Sequence, residues 1–565
     1  MDYVSESVRA PRLHGRTLRT FVRLLENPLT AALLAPSLMH SLGVSKLRTA
    51  AIDEAPTSSP SHANPGSVTR TDQLPATPVR RRMFRTIRDY ADAFRRGLVT
   101  PEDIAERFLR AVAVSDQNLP PLRAFIACNH EDILSQACAS TVRHHTGKAL
   151  GLLDGVPVAV KDELDMKPYP TTVGTRFLGK VTARGDATVV KRLRDAGALL
   201  VGKTNMHEIG ILPSGINPHF GAVRNPHNLS HNAGGSSSGS AAAVAAGLCP
   251  GAVGADGGGS IRIPASFCGV VGLKPTYGRI SEFGAAPLCW SVAHVGPIGA
   301  TVDDAALLYS AMAGRDPADP NTQRQPPVSF ERYDGNLYGI RLGIYRDWFN
   351  DADVEVVATC ERLVKALVVL GAEIVEVIIP DLYMTSVAFG LTILTEMAAS
   401  MSIHEVQHRR DFGWTTRQML GIIRNTRPSD YVTAQRVRTR ALHNFLSVLA
   451  NVSAIVTPAT ALTASRIEER SLPDGVSDVD ETMRTMQFAS VANFTGLPAI
   501  SIPAGYDGRG LPIGLQLIGR PWEEGLLFRL GYAVETIVQR RQPATYYDML
   551  PESRAADEEA ECGRQ

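Results

Sequence analysis

The sequence lacks any excess of charge. Its 58 Lys and Arg stand against 57 Asp and Glu, a formal net charge of +1 over 565 residues. A protein built for nucleic acid carries a basic surface that neutralises phosphates, so this balance argues against a nucleic-acid partner. Paired cysteines are lacking as well. The seven lie singly at 128, 138, 249, 268, 289, 360 and 562, with no CxxC motif. That pattern argues against a disulfide framework and points to free thiols in a reduced compartment. No HExxH motif and no Cys/His cluster occurs, so no metal is expected, and nothing calls for a cofactor. None of the 14 histidines belongs to a recognisable triad signature, and there is no GxSxG elbow. The N-terminal region also lacks the ~20 uninterrupted apolar residues of a spanning helix. Residues 16–47 are Leu-rich but are broken by Arg23, Glu26, Pro28 and Pro36. They also lack the basic start and small-residue exit of a signal peptide.

What is present suits a folded chain with a large core: 44% hydrophobic and 20% charged residues. Residues 1–52 read as an apolar helical arm, either lying on a membrane surface or a second subunit, or packed on the body. Residues 53–83 are rich in Pro, Ser and Thr and read as an exposed linker. The body is expected over residues 84–550, with a charged tail at 551–565. Near its start, Thr100 and Pro101 have the order of an N-cap followed by the first helical residue. From Gly151 onward short apolar runs ("GVPVAVKD", "ALLVGK") alternate with helical spacing ("ATVVKRLRDAG"). Later, "VSAIVTP", "PAISIP" and "PIGLQLIG" read as further strands, before a closing helix in "EEGLLFRLGYAVETIV". The alternation predicts an α/β body with a mostly buried sheet.

Two stretches carry chemistry. In "NAGGSSSGSAAAVAAG" a glycine- and serine-rich loop runs into a strong helix former, and in "GADGGGSIRIP" Gly257, Gly258 and Gly259 precede Ser260. Uncovered N–H groups at glycines can hold an oxyanion beside a serine nucleophile, although Ser260 alone reads equally well as a helix N-cap. Lys161, at the C-terminal end of an apolar strand, is the candidate base. Buried with no carboxylate partner, it would lose its proton easily. As a strand-end charge opening a "KDE" run, it could equally face water. A hydroxyl in the Gly-Gly-Ser-Ser-Ser loop would relay the proton between Lys161 and Ser260.

Together, Lys161, "GGSSSGSAA" and "GADGGGSIRIP" resemble the amidase signature family, as do "GKTNMHE", "GLKPTYGR" and "NFTGLPAISIP". The likeness runs over residues 86–533. It implies a Ser–cis-Ser–Lys triad with Ser260 as nucleophile, Ser236 as cis-serine relay and Lys161 as base. The N–H groups of Gly257, Gly258, Gly259 and Ser260 would form the oxyanion hole. It also implies one large mixed β-sheet wrapped by helices. Two departures stand out: Ser238 replaces a common Gly, and Ala255 replaces a common Thr, which is expected to loosen hydrogen bonding around Asp256.

Within the family the chain looks most like the plant-type fatty acid amide hydrolases, through "DGGGS", "GRPWEE", "YYDML" and the apolar extension. That likeness implies cleavage of N-acylethanolamines and related lipid amides by a homodimer at the periphery of a membrane, the endoplasmic reticulum or plasma membrane, or in the cytoplasm. Met206 and Phe488 are expected to line an acyl tunnel with the apolar residues 386–401. The alternatives are a glutamine amidohydrolase subunit of a tRNA-dependent amidotransferase, and a lipid-binding scaffold without catalysis.

Overall fold

The computed structural model describes residues 3–5, 10–63 and 83–551. Eleven strands form one mixed sheet. In chain order they are β1 (Phe125–Ala127), β2 (Pro157–Lys161), β3 (Leu199–Thr204), β4 (Gly251–Ala255), β5 (Val271–Lys274) and β6 (Val295–Gly299). β7 (Arg341–Ile344), β8 (Glu373–Glu376), β9 (Ala454–Pro458), β10 (Ala499–Tyr506) and β11 (Pro512–Gly519) follow. Their spatial order is β8-β7-β9-β11-β10-β5-β6-β4-β2-β3-β1. The pairs β2/β3, β2/β4, β7/β8 and β7/β9 are parallel, and the rest are antiparallel. Every residue of β2, β3, β4 and β5 is buried, and β2 and β3 are the apolar runs expected as strands. The single mixed sheet agrees with the expected fold class.

The register places the site. Val158 of β2 faces Leu200 of β3 on one side and Gly251 of β4 on the other. Parallel neighbours end together, so Lys161 and Ala255 finish their strands at the same edge of the sheet. Functional groups of α/β sheets collect beyond such carboxyl ends.

The helices needed below are α1 (Gly15–Glu26), α2 (Pro28–Ser41), α3 (Val44–Thr49), α4 (Pro101–Gln117), α5 (Ser238–Ala245) and α6 (Arg262–Cys268). After them come α7 (Leu382–His408), α8 (Trp414–Ile423), α9 (Pro428–Leu449) and α10 (Glu524–Ile537). Thr100 caps α4 as its sequence implies, accepting from Asp103 N with Pro101 at the first position. Three helices make up the N-terminal arm, and their apolar stripe lies on the body: Leu18, Val22, Leu25 and Leu47 are buried. Leu13–His14 pairs with Val476–Ser477, and ion pairs Arg417–Glu26 and Arg48–Asp430, each 2.7 Å, fasten the arm to α8 and α9. The tip joining α1 to α2 is different, because Leu29 and Leu33 are 79% and 80% exposed there.

Of the segment read as an exposed linker, most residues from 53 to 63 are exposed or half-buried, with Pro60 and His62 buried. Residues 53–63 lie along the body, with Glu54 paired to Arg440 at 2.8 Å, His62 buried against Thr495 O, and Ala63 O accepting from Trp522 Nε1. Pro, Ser and Thr suit an extended chain that docks through side-chain and backbone hydrogen bonds as well as one that floats. The rest of that segment, residues 64–82, and the tail beyond Pro551 lie outside the described residues.

Candidate active site

Each serine of the glycine- and serine-rich loop before α5, and of the first turn of α5, has a partner. Ser236 Oγ accepts from Lys161 Nζ at 2.9 Å, and the Gly235–Ser236 peptide bond is cis. Ser237 Oγ donates to Ala255 O (3.1 Å) and receives Ala255 N (3.3 Å), tying the loop to the end of β4. Ser238 donates to Asn205 O at 3.4 Å and Ser240 to Val253 O at 3.1 Å. α5 is wholly buried, and its alanines permit that close packing. At Gly239 any Cβ would run into Ala124 O, so only glycine fits.

Lys161 lies on the floor of the site, 1% exposed. Its ammonium has three acceptors: Ser236 Oγ at 2.9 Å, Ala255 O at 3.0 Å and Glu163 Oε2 at 2.8 Å. The last corrects the expectation of a lysine without a carboxylate partner. The "KDE" run is not a solvated face: Asp162 pairs with buried Lys203 at 3.3 Å, and Glu163 turns to Lys161. Two consecutive acids serve two lysines, which neither spacing nor periodicity displays.

Ser260 lines the same cavity as Lys161, Glu163, Ser236, Gly257 and Gly258, a space of about 450 Å³ including its mouth. Ser260 is no helix cap. The N-cap position of α6 belongs to Ile261, and no side chain caps it. Among the described residues the N–H groups of Gly257, Gly258 and Ser260 donate to no protein acceptor, so they are free for an oxyanion. Gly259 departs from the expectation: its N–H donates to Asp256 Oδ1 at 2.5 Å. Gly259 has φ +114°, and a Cβ there would meet Ile263 Cδ1 at 2.6 Å and Ala489 Cβ at 2.7 Å, so glycine is required for the turn rather than for the hole.

Asp256 organises this turn. Besides Gly259 it accepts from Ile261 N (3.0 Å), from Arg262 Nε (3.0 Å) and Nη2 (3.1 Å), and from Asn493 Nδ2 (2.9 Å). Arg262, fully buried, also donates to Asn493 Oδ1 at 2.5 Å, Gln516 Oε1 at 2.7 Å and Ala489 O at 2.8 Å. Burial alone would raise the Asp256 carboxyl, but the Arg262 charge and these hydrogen bonds outweigh it and hold the group well below the usual carboxylate range. The expected loosening from Ala255 is therefore absent, because Asp256 draws its partners from elsewhere and position 255 contributes through its carbonyl. Arg262 and Asn493 went unnoticed in the sequence. A basic residue six positions after an Asp was the only signal for the first, and the second is more than 200 residues away.

Cys289 also lines the cavity. Burial pushes its thiol well above the ordinary value, and Glu163, Glu396 and Glu282 push it the same way. A protonated thiol is a poor nucleophile.

Beside the catalytic-type cavity lies an apolar one of about 1370 Å³, its mouth included. Ile211, Leu212, Ile393, Met397 and Met486 line both, so the two share walls. Residues 386–401, on α7, supply much of the apolar lining, and Met39, Leu42 and Val44 of the arm close it from the other side. Met206 and Phe488 do not line it. Met206 is fully buried, its Cγ packed toward Gly174 and its carbonyl bonded to Asn217 Nδ2 at 2.7 Å. Phe488 belongs to a separate core with Trp348, ring centroids 5.4 Å apart. Both are apolar and near the motifs in sequence, but their side chains turn into the core instead. α7 also explains its own apolar composition. It is long and apolar enough to cross a membrane, yet here it is wall to the cavity and support to α8 and α9.

Comparison with known proteins follows the same lines. The Amidase family model matches residues 103–528. A fatty acid amide hydrolase from Medicago truncatula is 39% identical, over 97% of this chain and 97% of that protein. A glutamyl-tRNA(Gln) amidotransferase subunit from Koribacter versatilis is 35% identical, over 77% of this chain and 95% of its own. Among solved structures, the native peptide amidase from Stenotrophomonas maltophilia superposes with a TM-score of 0.69 at 29% identity, covering 82% of this chain and 98% of that one.

Proposed function

Since the chain belongs to the amidase signature family and is an amide C–N hydrolase, we propose that its substrates are fatty acid amides, N-acylethanolamines among them, cleaved through an acyl-enzyme on Ser260. The observation that carries this is the apolar cavity sharing walls with the cavity of Ser260 and Lys161. A long acyl chain gains roughly 0.8 kcal/mol for each methylene it buries, and such a space offers that burial directly beside the serine.

In this reading Lys161, once neutral, takes the Ser236 proton while Ser236 takes that of Ser260. Ser260 Oγ bonds to the carbonyl carbon, and the oxygen anion settles against the N–H groups of Gly257, Gly258 and Ser260. The proton returns through Ser236 to the amide nitrogen, the C–N bond breaks, and the amine leaves. Water then attacks the ester with the same groups acting in reverse.

Hydrolysis of a panel of amides differing in acyl length, with glutamine included, tests the substrate class. Long acyl chains should be preferred, and faster hydrolysis of glutamine would instead favour the amidotransferase reading. Gly390 sharpens the test. It lies within α7 on the cavity wall, and a Cβ there meets nothing within 4 Å. Gly390→Phe should fill the space and lower kcat/KM for long acyl amides at least tenfold, leaving short amides within about twofold. Gly390→Ala should stabilise the protein by about 0.5–1 kcal/mol, the usual cost of Gly within a helix. Equal losses on short and long substrates would place the acyl chain elsewhere.

The exposed Leu29 and Leu33 at the tip of the arm are, in the same reading, the surface that meets a membrane or a second copy of the chain. Leu29→Glu with Leu33→Glu should reduce liposome flotation or shift sedimentation toward monomer without altering cleavage of a short, soluble amide. Unchanged flotation and sedimentation would remove both roles from the arm.

A further inference from the structure

The geometry around Lys161 points to a fourth member of the proton machinery: we propose that Glu163 is the counter-ion that favours the protonated amine of Lys161 and so sets the pH at which hydrolysis begins. The proposal rests on the assignment of Lys161 as proton acceptor made above. Glu163 Oε2 lies 2.8 Å from Lys161 Nζ, and the two side chains are only 7% and 1% exposed. Water therefore cannot screen the pair as it would on the surface. Ser236 Oγ and Ala255 O occupy the other two hydrogens of the amine, so the resting arrangement uses all three N–H bonds of an ammonium.

Other charged groups do not substitute for Glu163. Asp162, next in sequence, is committed to Lys203 (3.3 Å). Glu396, on α7, accepts from Ser291 N (3.0 Å), Ser291 Oγ (2.5 Å) and Tyr431 OH (3.0 Å). Glu282 and Cys289 interact with Glu163 and are both held toward their neutral forms, first by burial and then by the neighbouring acids. Glu163 is thus the only one of these acids with an oxygen in contact with the amine.

A carboxylate in this place acts twice. It opposes loss of the proton that must leave before Lys161 can serve as base. Once Lys161 has taken the Ser236 proton, the same charge stabilises the ammonium that forms. No atom is exchanged with Glu163: the N–H bond made is at Lys161, and the O–H bond broken is at Ser236. Glu163 is a positioning residue, and it also lines the cavity from which the amine departs.

The test is the pH dependence of kcat/KM for Glu163→Gln, measured beside wild type and Glu163→Asp on the full chain. Glu163→Gln should move the acid limb toward lower pH by about one to three units, the effect of removing an opposite charge at this distance, and should lower the high-pH plateau several-fold. Glu163→Asp should return the limb toward its wild-type position. Should the glutamine variant fail to fold by thermal unfolding, Glu163→Ala gives the same comparison. A limb that stays in place in the neutral variants, or moves to higher pH, overturns the proposal. Labelling with a serine-reactive fluorophosphonate separates the two levels. Label on Ser260 in both proteins with an unmoved limb rejects Glu163 alone, whereas no label on Ser260 in wild type rejects the assignment of the site and Glu163 with it.

Discussion

Ser260→Ala should leave folding intact and lower turnover by about 10⁴-fold or more, as loss of one member of a cooperating triad does. The side chain is small, caps no helix and lies at the cavity surface, 9% exposed, so its oxygen can be removed without a void in the core. The free N–H groups of Gly257, Gly258 and residue 260 persist in the variant, because they belong to the backbone. Residual rate above the uncatalysed reaction should therefore survive, since donors and binding alone retain part of catalysis. Intact-protein mass spectrometry after fluorophosphonate treatment, with thermal unfolding alongside, makes the measurement. An alanine variant that still accumulates an acyl or phosphonyl adduct at another residue would reject Ser260 as nucleophile. The scaffold alternative predicts no adduct even in wild type.

Asp256→Asn should be the most damaging of the conservative changes. It removes a charge from a pair that is fully buried on both sides and leaves Arg262 uncompensated beside Asn493 and Gln516. Breaking such a pair costs about 3–5 kcal/mol. The variant also keeps only one of the two oxygens that receive Gly259 N and Ile261 N, so one of these bonds is lost, the turn carrying Ser260 should loosen and labelling should slow along with the loss of stability. The sign with pH is fixed. The Asp256 carboxyl is held down in the folded chain, so its contribution is complete above the unfolded value of about 3.9 and fades as pH falls below it toward the folded one. Denaturant midpoints for wild type and variant should differ fully from pH 5 to 7 and converge in stronger acid. A gap that stays undiminished below about pH 4 would mean that charge is not what Asp256 contributes.

The parts legible in the sequence were those encoded locally. Strands β2, β3, β9, β10 and β11 announce themselves as apolar runs, and α4 by its Thr-Pro start, because burial on both faces and capping leave marks within a few residues. Lys161 at the end of an apolar strand, and Ser236 and Ser260 in glycine- and serine-rich loops, carry local marks, and the structure brings all three to one cavity. What escaped depended on direction. Glu163 looks like the end of a charge run until the turn after β2 sends successive side chains to opposite partners. Met206 and Phe488 have the right chemistry for a lipid wall, but rotate into the core. The cavity itself joins residues near 40, 211, 390 and 480, and no local pattern carries such an assembly.

The carbonyl of Ala255 has one more consequence, for how this enzyme tolerates change. That single oxygen receives both Lys161 Nζ and Ser237 Oγ, and every amino acid supplies it equally. Replacing the methyl of Ala255 alters neither bond, provided the new side chain fits. Ala255 is buried, so only small side chains will fit, but among these a mutational scan will be nearly silent at a position that holds the lysine in place. Only an ester in place of the following amide, introduced by chemical synthesis or nonsense suppression, would weaken the acceptor itself and expose a dependence that substitution of side chains leaves hidden.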